Sequence, residues 1–232
     1  MLWKAQKDHE ILTDTVAYQL VVGPAIRYRI AIAGNIFEAA LNHSTPEEYA
    51  SQDWVAAGLA ELALNGIAGV RVEVLAERMG ITKGGFYRRF KDRRELLDAM
   101  LKAWIDGRTE AIERHAETGG GSALERLRAM IKLYTERASA QGMAIELAIR
   151  QWARSDEAAA AAAARVDAVR LRTVTRLYRE LGLSASDAEG RATLFYSFLF
   201  GQGLLFDSGS PRKRASLIAA CMRTLTEVDA KP

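Results

Sequence analysis

Residues 71–97, RVEVLAERMGITKGGFYRRFKDRRELL, decide the fold. Valines, Leu75, Ala76 and Met79 recur at helical spacing and give a first short helix one apolar face. Gly80 ends it, because glycine enters the left-handed conformation that closes a helix at little cost. Ile81 is placed to plug the gap between two helices, and Thr82 to cap the second. Two short helices around a tight turn make a helix-turn-helix, the motif that sets a recognition helix into the DNA major groove.

The charge of this stretch agrees. Between Arg71 and Arg94 stand eight basic residues (Arg71, Arg78, Lys83, Arg88, Arg89, Lys91, Arg93, Arg94) against three acidic ones (Glu73, Glu77, Asp92). The local net is +5 while the whole 232-residue chain carries +3, so the remainder sums to −2. Concentrated positive charge suits phosphate neutralisation, which supplies most non-specific DNA affinity. A solvated basic helix face would explain the charge alone, but not the turn, the cap and the apolar partner helix.

The residues Leu75-Ala76, Met79-Gly80-Ile81-Thr82, Lys83-Gly84-Gly85-Phe86-Tyr87, Phe90, Arg93 and Leu96-Leu97 resemble the DNA-binding domain of the tetracycline-repressor (TetR) family of bacterial transcription regulators. The likeness covers about 45 residues from near Asp53. One position departs from it. Where the family usually has serine or threonine, this chain has Gly85 beside Gly84, so a phosphate-contacting hydroxyl is missing. Two glycines in one turn also weaken a helix by about 1 kcal/mol each relative to alanine.

The resemblance implies an all-α fold: an N-terminal three-helix helix-turn-helix DNA-binding domain, then a larger helical ligand-binding and dimerisation domain. The expected divisions are an N-terminal extension over 1–45, the DNA-binding domain over 46–91 and the effector-binding and dimerisation domain over 92–232. The extension mixes apolar and polar residues without sustained helical or strand periodicity. It reads as an arm, as an added helix packed on the body, or as sequence from an upstream start codon. The last would need a non-standard start, since no methionine lies between Met1 and Met79.

Thr45-Pro46-Glu47-Glu48 is a capping box with proline at the first helical position, and it predicts the start of helix one. Trp54, Val55, Leu59, Leu62, Ala63 and Leu64 form its stripe, and Asn65-Gly66 its end. Beyond the motif, Asp92 caps a helix carrying Leu96, Leu97, Met100, Leu101, Trp104 and Ile105 towards Gly119-Gly120-Gly121. Ser122 caps the next, and residues 142–154 form another. The alanines from 158 to 164 open a long helix running to about Leu181, with Asp156-Glu157 complementing its dipole. Two helices remain, from Ser186 to about Phe206 and from Pro211 to Val228. By resemblance these last two form a homodimer interface across a two-fold axis.

Thr82, Lys83 and Gly84 sit at the start of the recognition helix, where N–H groups favour phosphate. Tyr87 resembles the family tyrosine that binds phosphate. Arg88 and Arg89 are the candidates for base edges, since bidentate arginine–guanine pairing is the commonest specific contact. Lys91 and Arg93 are expected to hold the DNA backbone. Phe86 and Phe90, four apart, face inward onto helix one. The partner expected is double-stranded DNA with an inverted repeat, read by a dimer.

The resemblance further implies a small-molecule effector, and Trp104, Tyr134 and Trp152 could line its pocket and favour an apolar or aromatic compound. A helical adaptor that binds protein is the alternative, and it leaves the basic helix without a purpose. An enzyme has little support, and no catalytic residue, metal or cofactor is assigned. His9, His43 and His115 are scattered, and no phosphate loop, nucleophile elbow or dinucleotide fingerprint occurs. A single cysteine, Cys221, excludes an intramolecular disulfide. The best membrane candidate, Val16 to Leu41, is broken by Arg27, Arg29, Asn35 and Glu38, short of the ~18 apolar residues a span needs. With no signal-peptide layout either, a cytoplasmic location is expected.

Overall fold

The computed structural model describes residues 18–22, 26–30, 51–118, 121–136, 140–201 and 210–227. From residue 51 onward these form an all-α fold. In order the helices are α1 (Ser51–Gly69), α2 (Val72–Arg78), α3 (Lys83–Tyr87), α4 (Arg93–Thr118) and α5 (Ala123–Glu136). They continue with α6 (Ala140–Trp152), α7 (Glu157–Glu180), α8 (Ala185–Gly201) and α9 (Pro211–Thr226).

The extension departs from its sequence reading. Strands β1 (Tyr18–Val22) and β2 (Ile26–Ile30) pair antiparallel, Tyr18 opposite Ile30 and Val22 opposite Ile26. An added helix is therefore wrong for these ten residues. Strict apolar–polar alternation exists only in Ile26-Arg27-Tyr28-Arg29-Ile30, five residues facing a partner that does not alternate. Alternation of that length is a strand signal, confined here to one of the two strands. The capping box at residues 45–48 lies outside the described residues.

Glycine sets the corners of the first three helices. Gly66 breaks α1 with φ 67° and ψ −174°, a region essentially confined to glycine, and one more helical turn follows to Gly69. Helix one thus breaks at the Asn65-Gly66 end read from sequence, with a separate turn beyond it. Gly80, at φ 66°, closes α2: its N–H donates to the Glu77 carbonyl at 3.1 Å and that of Ile81 to Ala76 at 3.0 Å. These two bonds are a Schellman closure.

Inside this corner lies Phe86, fully buried and edge-on to Trp54 of α1 at 5.2 Å, with Phe90 stacked on it at 5.5 Å. Both phenylalanines face inward, as their spacing predicts. Gly58 lets α4 cross α1 closely: a Cβ there would fall 2.6 Å from the Met100 sulfur. The same apolar cluster continues through Leu97, Trp104, Ile149, Trp152 and Val166, so the first three helices share a core with α4, α6 and the near half of α7.

Capping residues start the later helices as read. Asp92 accepts from the Glu95 N–H at 3.0 Å, Ser122 from Glu125 at 3.3 Å and Asp156 from Ala159 at 2.9 Å. A second cluster joins α5, the far half of α7, α8 and the end of α9 around Leu127, Leu177, Phe195 and Leu199. The Tyr178 hydroxyl ties α7 to α9 by donating to the Leu225 carbonyl at 2.8 Å, and burial pushes its pKa up to about 12. Between the two clusters, in the middle of α7, sits Arg170.

Candidate nucleic-acid interface

Helix α3 is a single turn, far below the length at which a helix holds itself in water. Its position is imposed by its neighbours. Gly85 and Phe86 are buried against the head, while Thr82, Lys83, Gly84, Tyr87, Arg88, Arg89 and Lys91 are exposed. Tyr87 shows 61% of its surface, with its ring edge-on to Phe86 at 5.2 Å. Seven of the eight DNA-facing candidates therefore line one exposed run beside α3.

The eighth, Arg93, is placed differently. Its Nε donates to the Val70 carbonyl at 2.5 Å and its Nη2 to the Ile67 carbonyl at 2.8 Å. It staples the start of α4 to the corner after Gly66. Other cations of the basic run are also engaged internally. Arg78 pairs with Glu61 at 2.9 Å, Lys83 with Glu73 at 3.0 Å, and Arg94 with Asp156 at 2.7 Å. At least half of the cations counted in the sequence are thus engaged within the protein. Glu61 shows what the sequence reading missed: a buried carboxylate that also accepts from the Asn65 amide at 2.6 Å. Its i, i+4 spacing to Asn65 was the available signal.

Two local expectations are revised. Thr82 holds the N-cap position with extended backbone, φ −86° and ψ 154°, but its hydroxyl makes no capping bond. The Gly85 N–H donates to the Thr82 carbonyl at 3.0 Å instead. At position 85 the first side-chain atom would point at Ile81 Cδ1 (3.8 Å) and Trp54 Cζ2 (4.0 Å), at the edge of the core. At position 84 it would meet only the Thr82 hydroxyl at 3.6 Å. Neither glycine has a positive φ. Gly84→Ala and Gly85→Ala are each expected to stabilise the chain by about 0.5–1 kcal/mol, read as a raised thermal midpoint.

Electrostatics at the base of the head follow from hydrogen bonding. The Asp156 carboxyl is held below its ordinary range first by the Ala159 N–H and then by Arg94. Close by, a cleft of about 340 Å³ opens between head and body, lined by Ile67, Leu97, Trp152, Arg93, Arg94 and Asp156 among others. Of the effector candidates, Trp152 borders this cleft. Trp104 is buried in the same apolar cluster, its Nε1 without a hydrogen-bond partner among the described residues. Tyr134 lies on α5, and its side chain is outside the described residues. No group of metal-ligating side chains stands together, and no helix is long and apolar enough to cross a membrane, among the described residues.

Residues 55–100 match the family described as "Bacterial regulatory proteins, tetR family". Solved structures share the fold. A regulatory protein TetR from Rhodobacter sphaeroides is 23% identical with a TM-score of 0.59, the match covering 76% of this chain and 97% of that one. A transcriptional regulator from Saccharomonospora viridis, solved in complex with choline, is 17% identical with a TM-score of 0.60, over 75% and 92% of the chains. The ketosteroid transcriptional regulator KstR2 of Mycobacterium tuberculosis is 16% identical with a TM-score of 0.57, over 77% and 95%. No curated protein matches the chain.

Proposed function

The chain belongs, through residues 55–100, to the tetR family of bacterial regulatory proteins, and from that premise we propose a dimeric cytoplasmic repressor released from an inverted-repeat operator by a small molecule. The observation that carries the reading is the exposed run Thr82–Lys91 set over a fully buried Phe86. In this reading residues 46–91 read DNA, residues 92–232 bind effector and partner, and no catalytic step is assigned. Thr82, with its hydroxyl outside any cap bond, Lys83 and the Gly84 backbone meet phosphate together with Tyr87 and Lys91. Arg88 and Arg89 reach base edges. The second copy docks on α8 and α9, where Leu194 and Leu217 are 62% and 52% exposed. Relatives named for choline and for ketosteroids support an effector step.

The test is selection of bound fragments from sheared genomic DNA, followed by titration of the best fragment at several salt concentrations. One inverted repeat bound far above random DNA is expected. Salt-sensitive binding without a preferred sequence would remove the base-reading role, and no binding would leave a protein-binding adaptor.

Within that assay Arg88→Ala is expected to relax sequence preference, with a loss of about 1–3 kcal/mol confined to the preferred fragment. Arg93→Ala is expected to weaken all fragments alike, since its carbonyl bonds set the angle of the whole head. A salt slope lowered by about one unit would give Arg93 a phosphate as well, and an unchanged slope would leave it the carbonyls alone.

A further inference from the structure

Four helices of the body bring together charges that the head does not use. Helix α4 supplies Arg108, α6 Glu146 and Arg150, α7 Asp167 and Arg170, and α8 Tyr196 and Phe200. Glu146 accepts three hydrogen bonds: both Arg170 Nη atoms donate to it at 2.8 Å, and Arg150 Nε donates at 3.0 Å. Asp167 accepts three as well, from Arg150 at 2.7 and 3.0 Å and Arg170 at 3.2 Å.

Arg108 is the third cation set against these two carboxylates, and its ion pair with Glu146 is the longest. Its one hydrogen bond among the described residues runs from Nη2 to the Gly142 carbonyl at 2.9 Å. The Glu146 carboxylate stands 3.7 Å from its Nε, beyond hydrogen-bond reach. The side chain is 29% exposed, so its remaining N–H groups are partly withdrawn from water and partly accessible. With Arg108, Arg150 and Arg170 facing only Glu146 and Asp167 among the described residues, the cluster carries one cation in excess, and the planar guanidinium fork of Arg108 fits the two oxygens of a further carboxylate.

The apolar side of the site is aromatic. The Phe200 ring lies 4.6 Å from the Arg150 guanidinium carbon and 5.0 Å from that of Arg170, and Tyr196 stacks on Phe200 at 6.0 Å. Two guanidinium groups already at this ring repel a third cation and leave no place for a quaternary ammonium. One turn before Arg108 on the same face of α4, Trp104 holds its buried, unpartnered indole N–H.

We propose that Arg108, flanked by Arg150, receives the carboxylate of the effector, an organic acid whose apolar body rests against Phe200. The proposal rests on the effector-released regulator described above and names the class of molecule that releases it. A carboxylate drawing Arg108 away from the Gly142 carbonyl acts at the α4–α6 contact, and α4 is the helix whose first residue staples the head. Such a ligand shifts the equilibrium only through its different affinity for the two positions of α4.

The experiment uses the full chain without DNA. Calorimetric titration compares benzoate, phenylacetate and octanoate with their neutral amides, with inorganic phosphate and with tetraethylammonium. At least one carboxylate is expected to bind tenfold or more above its amide. Arg108→Gln, which keeps a donor for Gly142, should erase that preference, and Arg108→Lys should restore part of it. Equal binding of acid and amide, equal binding of phosphate, preference for tetraethylammonium, or no binding by any probe would each overturn the proposal. Operator release is measured separately. Carboxylate binding through Arg108 without release from DNA would uphold the site and overturn the repressor reading.

Discussion

Glu146→Ala is expected to cost about 3–5 kcal/mol of stability, a large share of the 5–15 kcal/mol that holds a typical domain. Glu146 and Arg170 are 2% and 1% exposed, and removal of the carboxylate leaves a buried guanidinium with only the longer bond to Asp167 at 3.2 Å among the acceptors named above. Denaturant midpoints measure the loss, and the double change Glu146→Met with Arg170→Met should recover most of it, because neither charge is then left buried. A Glu146→Ala midpoint within 1 kcal/mol of the parent would refute the buried-pair account. The same pair sets an acid limit. Burial alone would raise the Glu146 pKa, but hydrogen bonding and charge from Arg170, then Arg108 and Arg150, hold it below the ordinary value. With the folded pKa depressed, the stabilisation is fully present above about pH 4.3, the ordinary glutamate pKa, and is lost as pH falls through the lower folded value.

Phe86→Ala is expected to abolish DNA reading before it unfolds the body. The ring is wholly buried against Trp54 and Phe90, and its truncation costs about 3–5 kcal/mol in transfer and cavity terms. A five-residue helix has no means of its own to stay folded. If about 3 kcal/mol of that loss falls on the placement of α3, affinity for every DNA drops about a hundredfold. Near-parental affinity, measured by titration of the selected operator fragment, would mean that α3 is held by something other than Phe86. Circular dichroism should show most helical signal retained, since Trp54, Leu62 and Leu75 still hold the head on α4 and α6, and α5, α8 and α9 pack in a separate cluster.

Much of this was legible in the sequence because it rests on local rules. Gly80, Asp92, Ser122 and Asp156 announce helix ends through hydrogen bonds that close within three to five residues. The inward face of Phe86 and Phe90 follows from their spacing. What escaped was set by contacts across the chain. Arg93 reads as one more basic residue beside a recognition helix until Ile67 and Val70, 26 and 23 positions away, turn their carbonyls towards it. Glu146 with Arg150, and Asp167 with Arg170, carried the i, i+4 and i, i+3 spacing of solvated pairs. Only packing of α6 on α7 puts them inside. The strands at residues 18–22 and 26–30 escaped for another reason: only the second alternates, and for only five residues.

The position of Arg170 on α7 has a consequence for how the molecule comes apart. Residues Ala159 to Val166 of this helix belong to one apolar cluster and Val174 to Tyr178 to the other, with charged groups between. Cooperative melting spreads through continuous oily contact, and here that continuity is interrupted at a single helical waist. The head with α4, α6 and the near half of α7 forms one melting unit, and α5, α8 and α9 with the far half form a second. Backbone amides on the two sides of residue 170 therefore open to solvent exchange as separate populations. The seam between them is an ionic clasp, which acid loosens and cold does not.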